Sequence, residues 1–325
     1  MLKKLSMTSL LMLLAALVIS CAPVADTGGA SDSGSEAASE DAGGTETIML
    51  AENPWPAAEL NVAVAKIIIE NELGNPVELV ALDENVQWDA LAAGDLDASL
   101  ELWPSGHTER IASYIDELGT VENGGLLGPV GEIGWYVPQY AIDANPALAT
   151  WEGYMDAAAD FATAETGDLG RFLGADPSWV QNDEALIANL GLPFQVVWAG
   201  TEEAMLAEVS SAYGREEPIL FYFYSPHAIF SEFDLAQVEL PAYSDECYAD
   251  PEAIDCAYPK DELIKIFSAG LAEKDANVHT LLSNFNYGSD AQVEMLGMVN
   301  SGMSVEEAAK HKKRVGIVSD TNPLF

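Results

Sequence analysis

From Pro56 to Leu73 the apolar positions Leu60, Val64, Ile67 and Ile68 recur at the spacing of one helix face, with Pro54 and Pro56 at the start and Gly74 as a stop. This pattern predicts a helix. Val77 to Leu82 then reads as a strand, Asn85 to Ala93 as a helix ending at Gly94, and the alternating run Leu96 to Leu102 as a strand that delivers Trp103 at its carboxyl end. The rhythm returns later in the chain. Phe194 to Trp198 reads as a strand, Thr201 to Tyr213 as a helix with acidic residues in its first turn, where the dipole favours them, and Pro218 to Tyr224 as an apolar strand. Gly134 to Tyr140 reads as a crossover strand. The tail from Pro259 to Lys310 reads as mainly helical, with Ser304-Val305-Glu306-Glu307 spaced as a capping box. The alternation predicts an α/β fold, in which ligands gather beyond the carboxyl ends of strands.

Aromatic residues stand beside proline turns at three places: Trp103-Pro104-Ser105-Gly106-His107, Asp176-Pro177-Ser178-Trp179, and Tyr224-Ser225-Pro226-His227. Loops that join rigid elements commonly carry ligand contacts. Three converging ring faces suit a methylated ammonium ion, which donates no hydrogen bond and is held by aromatic quadrupoles. Trp88, Trp151 and Trp198 fall on helical or strand faces and read as core.

The amino terminus sets the location. Met1 to Ser20 carries Lys3, Lys4, an apolar run from Leu10 to Ile19 and no acid, the layout of an export signal too short to remain as a membrane span. Val18-Ile19-Ser20-Cys21 resembles the lipobox of bacterial lipoproteins, in which Cys21 would be acylated and tether the protein to the membrane. An ordinary signal peptide cut nearby is the alternative. Residues 22–46 hold almost no large apolar side chain and read as a flexible acidic tether. The fold therefore begins near Thr47.

The net charge of −40 sets nucleic acid aside as a partner, because a phosphate backbone demands the opposite sign. Cys247 and Cys256, either side of a short Pro-containing loop in an exported chain, read as a disulfide worth roughly 2 to 3 kcal/mol. Neither a metal nor a cofactor is implied. No Walker loop, nucleophile elbow, His-Glu-x-x-His or Rossmann glycine pattern occurs, so an enzyme is not expected.

Three segments together resemble the substrate-binding proteins of glycine betaine and proline betaine ABC transporters, the ProX and OpuAC type. The most specific is Pro218 to His227, similar to a strand ending in Trp-x-Pro-His or Trp-x-Pro-Tyr. The others are Ala92 to Asp97 leading to Trp103-Pro104, and Asp176-Pro177-Ser178-Trp179, similar to the family's Pro-Gly-Trp turn. The resemblance implies a two-lobed periplasmic-binding-protein fold (type II), with residues 47–138 plus 237–325 as one lobe, 139–236 as the other, and a double crossover hinge. It also implies a monomer that hands a quaternary ammonium compound, glycine betaine or proline betaine, to permease subunits. Choline or carnitine, or a sensing role, are the alternatives. Trp103, Trp179 and Tyr224 would wall the cage, with Tyr224 in place of the more usual tryptophan. His107 and the backbone amides of Val180 and Gln181 would hold the ligand carboxylate, although His107 also reads as an exposed helix-start residue. Trp55, Tyr136 and His227 are further candidates, each with a packing or capping role as the alternative.

Overall fold

The computed structural model describes residues 46–315, and the signal, lipobox and nearly all of the tether expectations lie outside them. Nine strands form one sheet: β1 (Ile48–Glu52), β2 (Val77–Ala81), β3 (Ala98–Leu102), β4 (Val121–Pro138), β5 (Gly170–Gly174), β6 (Phe194–Trp198), β7 (Leu220–Ser225), β8 (Leu235–Gln237) and β9 (Lys260–Ser268). Their order is β2-β1-β3-β9-β4-β7-β5-β6, with β8 paired to β4. β2, β1 and β3 are mutually parallel, as are β6, β5 and β7. Each parallel set shows the β/α alternation that the sequence predicts, although its middle strand, β1 or β5, is not among the strands read from the sequence.

The antiparallel strands between the two sets join them. β4 pairs with β9 from Val121 to Glu132 and with β7 from Glu132 to Tyr136, so a single strand runs from one set into the other. β8 returns beside its end, matching Tyr136 with Gln237 and Pro138 with Leu235.

The predicted helix at Pro56 is continuous through Leu73, its last five residues widening into a π-helical turn, and Gly74 closes it at φ 79°. That left-handed geometry is nearly free for glycine and costly for other residues. Leu60, Val64, Ile67 and Ile68 are all buried. The helix Glu202–Gly214 starts as expected, with the Thr201 hydroxyl accepting from the Ala204 amide. The capping box is also formed: Ser304 Oγ accepts from the Glu307 amide, and the Glu307 carboxylate accepts from the Ser304 amide.

The tail differs from expectation, because residues 260–268 are a strand and not a helix. Charged residues at 260, 261, 262 and 265 obscured an apolar run that the sheet buries. Lys265 lies fully buried, and its ammonium donates to the carbonyls of Ser283 (2.9 Å) and Phe285 (2.6 Å) at the end of helix Ala276–Asn284. Those carbonyls lack intrahelical partners and carry the negative end of the dipole, so they compensate a buried cation. Burial pushes the Lys265 ammonium down to about 8. Trp88 is core as expected, whereas Trp151 and Trp198 are only half-buried.

Cys247 and Cys256 are joined as a disulfide. The loop they close lies against helix Asp183–Asn189, whose Asn189 side chain donates to the carbonyls of Glu252 and Ile254. Two residues after Cys256, Tyr258 accepts from the Asn182 amide (2.8 Å) and donates to Asp183 (3.0 Å). Among the described residues no helix is long and apolar enough to cross a membrane.

Candidate functional site

Each parallel set presents the carboxyl ends of its strands to one cleft. Trp55 follows β1, Glu84 follows β2 and Trp103 follows β3; facing them, the Asp176–Trp179 turn follows β5, and Tyr224 stands at the end of β7. The turn is fixed locally, since the Asp176 carboxylate accepts from the Ser178 amide at 2.8 Å and its carbonyl from the Trp179 amide at 3.1 Å.

Four rings meet there. Trp179 lies 5.9 Å from Trp55 and 6.0 Å from Tyr224, and Tyr224 lies 5.7 Å from Trp103, all edge to face. Trp55, Trp179 and Tyr224 are buried and Trp103 is half-buried. The two sides also touch through hydrogen bonds: the Trp179 indole N–H donates to the Pro54 carbonyl (3.2 Å), and the Asn85 amide to the Ser178 carbonyl (3.3 Å). The cleft is therefore closed.

Behind the rings stand buried carboxylates that orient them. Glu101, two residues before Trp103, accepts through Oε1 from the indole N–H of Trp55 (2.9 Å) and of Trp103 (3.2 Å), and through Oε2 from Asn61. Burial pushes its carboxyl up to about 7, against the lowering effect of those hydrogen bonds. Across the cleft, Glu202 accepts from the Tyr224 hydroxyl at 2.7 Å. That bond gives the phenol at 224 an anchor. Burial, with Glu202 and Glu101 nearby, raises the Tyr224 pKa well above its ordinary value, so the ring stays neutral.

Of the remaining candidates, Val180 lines the cleft, and the others are not among its lining residues. His227 is buried behind Tyr224; its Nδ1 accepts from the Ile229 amide and its Nε2 donates to Glu202 (3.0 Å), so its ring is spent on the fold. Tyr136 packs in the core against Phe221 and Phe230, and Ile133 of the same strand faces the cleft instead. The Gln181 side chain, as distinct from the backbone amide expected to hold a ligand, is engaged in its own turn, accepting from the Ala175 amide and donating to the Asp176 carbonyl. His107 is buried rather than exposed, and its Nε2 donates to Glu84 at 2.9 Å. The Val180 amide donates to the other oxygen of Glu84 at 2.6 Å.

Sequence reasoning passed over Glu84, Glu101, Tyr222 and Tyr258, the last two of which line the cleft with Asn182. Among the described residues no lysine or arginine lines it. No group of three or more metal-ligating side chains is found among them either.

One glycine makes the cage possible. Gly131 on β4 lies flat beneath the Trp103 indole, and a Cβ there would intrude on the ring. Gly131→Ala is expected to tilt Trp103 off its Glu101 bond and weaken ligand binding about tenfold, the worth of one cation–π contact. Calorimetry on the variant checks this, with unchanged affinity counting against Trp103 as a wall.

Comparison with known proteins gives a consistent picture. A family model described as the substrate binding domain of ABC-type glycine betaine transport systems, OpuAC, matches residues 46–311. A trimethylamine N-oxide-binding protein of Pelagibacter ubique is 23% identical over 318 residues, covering 94% of this chain and 95% of the relative. Lactococcal OpuAC, solved closed with glycine betaine, superposes with a TM-score of 0.65 at 20% identity, covering 83% of this chain and 98% of that one. An ABC-transporter choline-binding protein solved with choline gives a TM-score of 0.67 at 19% identity, covering 83% and 90%.

Proposed function

This chain belongs to the OpuAC family of substrate-binding domains, and we propose that its cleft captures a small methylated ammonium compound between Trp55, Trp103, Trp179 and Tyr224 for delivery to an ABC permease. The family is one of transport proteins and not of enzymes. The convergence of four ring faces from the two parallel sets carries this reading. Each cation–π contact in a desolvated site is worth roughly 1 to 2 kcal/mol, so the rings supply much of the roughly 8 kcal/mol of a micromolar complex. The relatives named above take glycine betaine, choline and trimethylamine N-oxide, and the methylated nitrogen is what these three compounds share.

The protein's working cycle follows from the topology. Rings from both sets are complete only in the closed form, so ligand shifts the population toward closure. The lobe boundaries 47–138 plus 237–325 and 139–236 are supported by β4 and β8, which run side by side where the chain passes from one set to the other. We place the protein outside the cytoplasmic membrane as a monomer, tethered through an acylated Cys21. Calorimetric titration of the purified protein with choline, trimethylamine N-oxide, glycine betaine and carnitine tests the cage, with micromolar or tighter binding expected for at least one. Binding of none would remove it.

A further inference from the structure

Two of the three donors expected to hold a ligand carboxylate, His107 and the Val180 amide, are already holding one. Glu84 is buried at the cleft wall, and its carboxylate accepts from His107 Nε2 through Oε2 and from the Val180 amide through Oε1. We infer that Glu84 sets the ligand class: its carboxylate stands where a betaine's would, so the cleft takes a methylated ammonium compound that carries no carboxylate. This rests on the cage reading above and narrows it.

Three observations converge on the assignment. First, the donors are consumed from opposite sides of the cleft, since His107 follows β3 and Val180 follows β5; the closed form itself is made with the Glu84 carboxylate as the shared acceptor. A second carboxylate brought there would meet a like charge at close range with both donors taken, and like charges placed side by side in a buried site are mutually destabilising. Second, the ionisable surroundings are acidic throughout. Glu84, Glu101, Asp183 and Glu202 are all buried within or behind the walls, and among the described residues no lysine or arginine lines the cleft to receive an anion. Third, the hydrogen bonds of the other polar groups nearby run toward carboxylates: Tyr224 donates to Glu202, Tyr258 to Asp183, and Ser105 to Asp261. The site is complementary to a positive head group and offers little to a negative tail.

Within the carboxylate-free class, the far end of the ligand decides the rest. A hydroxyl, as in choline, can donate to a free lone pair of Glu84. An N-oxide oxygen can only accept, and would need a donor such as the Tyr222 hydroxyl, which lines the cleft, turned toward it.

The test is parallel calorimetry of the purified protein with choline, trimethylamine N-oxide and glycine betaine, repeated on Glu84→Ala. The wild-type protein is expected to bind the better of choline and trimethylamine N-oxide at least tenfold more tightly than glycine betaine. In Glu84→Ala, which frees His107 and the Val180 amide, that ratio should fall at least tenfold in betaine's favour. Betaine binding as tight as or tighter than both others in the wild type overturns the inference and leaves the cage standing. So does a ratio that Glu84→Ala does not move. Binding of none of the three by the wild type removes the cage, and the inference falls with it. The wild-type comparison stands on its own should the variant fold poorly.

Discussion

Replacing Trp179 with alanine is expected to weaken ligand binding about a hundredfold while leaving the protein folded. The ring does two jobs at once. It is one wall of the proposed cage, and it makes contacts across which the two strand sets meet: edge to face with Trp55 across the cleft at 5.9 Å and an indole N–H to the Pro54 carbonyl at 3.2 Å, with packing on Tyr224 and Tyr222 from its own side. A desolvated cation–π contact contributes up to about 2 kcal/mol and an aromatic pair about 1 kcal/mol, which together reach the roughly 2.7 kcal/mol of a hundredfold change. Trp179→Phe keeps a ring face and loses the indole N–H, so an intermediate loss is expected. Calorimetry gives the affinities, and circular dichroism shows whether the variants are folded. Unchanged affinity in Trp179→Ala would take Trp179 out of the cage.

The parts of the site that could be read from the sequence are those that local chemistry marks. Trp103 stands at a proline turn after a strand whose alternation is plain, Trp179 ends a proline turn whose preceding strand was not read, and Tyr224 ends an apolar run; the structure brings all three to one cleft with Trp55. The carboxylates behind them were hidden in a crowd, because 53 acidic side chains give no local reason to single out four. Glu101 did carry a signal. It is the one charged residue in the strand Ala98–Leu102, every position of which is buried, and it shares a strand face with residue 103 two positions on. Glu202 was legible only as a residue suited to a helix start, and nothing nearby announces Tyr224 as its partner. Glu84 sits in a loop, and its donors come from residues 23 and 96 positions away. β9 was misread for a related reason: strand pairing is settled by neighbours remote in sequence, and of its charges at 260–262 and 265, which pointed to a solvated helix, Lys260 and Glu262 stay exposed while Asp261 is met by Ser105 and Lys265 by the Ser283 and Phe285 carbonyls.

Ligand affinity is expected to rise about fivefold from pH 6 to pH 8, and Glu101 is the reason. Its carboxyl is pushed up to about 7 by burial, with hydrogen bonds from Trp55, Trp103 and Asn61 and the nearby charge of Glu202 as the lesser influences. A positive nitrogen held against the outer faces of those two indoles favours the ionised form, so binding lowers the carboxyl's pKa and releases a proton near neutrality. One pKa unit of coupling is about 1.4 kcal/mol, or tenfold over the full titration, of which about fivefold falls between pH 6 and pH 8. For the free protein the sign is the reverse. The folded pKa lies above the ordinary 4.5, so the folded state holds the proton longer; the stability this contributes is full below pH 4.5 and is lost as pH rises through 7. Asp183, raised by burial from 3.8 to about 7, adds a contribution of the same sign. Ligand should therefore protect against unfolding most above pH 7, where the free protein is weakest and the binding strongest. Glu101→Gln retains an acceptor for the indoles and removes the titration, so its affinity should be flat between pH 6 and pH 8 and about tenfold below wild type at the upper end. Calorimetry in two buffers of different ionisation enthalpy reads the released proton directly. A wild-type protein that releases none, with an affinity as flat as the variant's, would leave Glu101 as a support for the rings and no more.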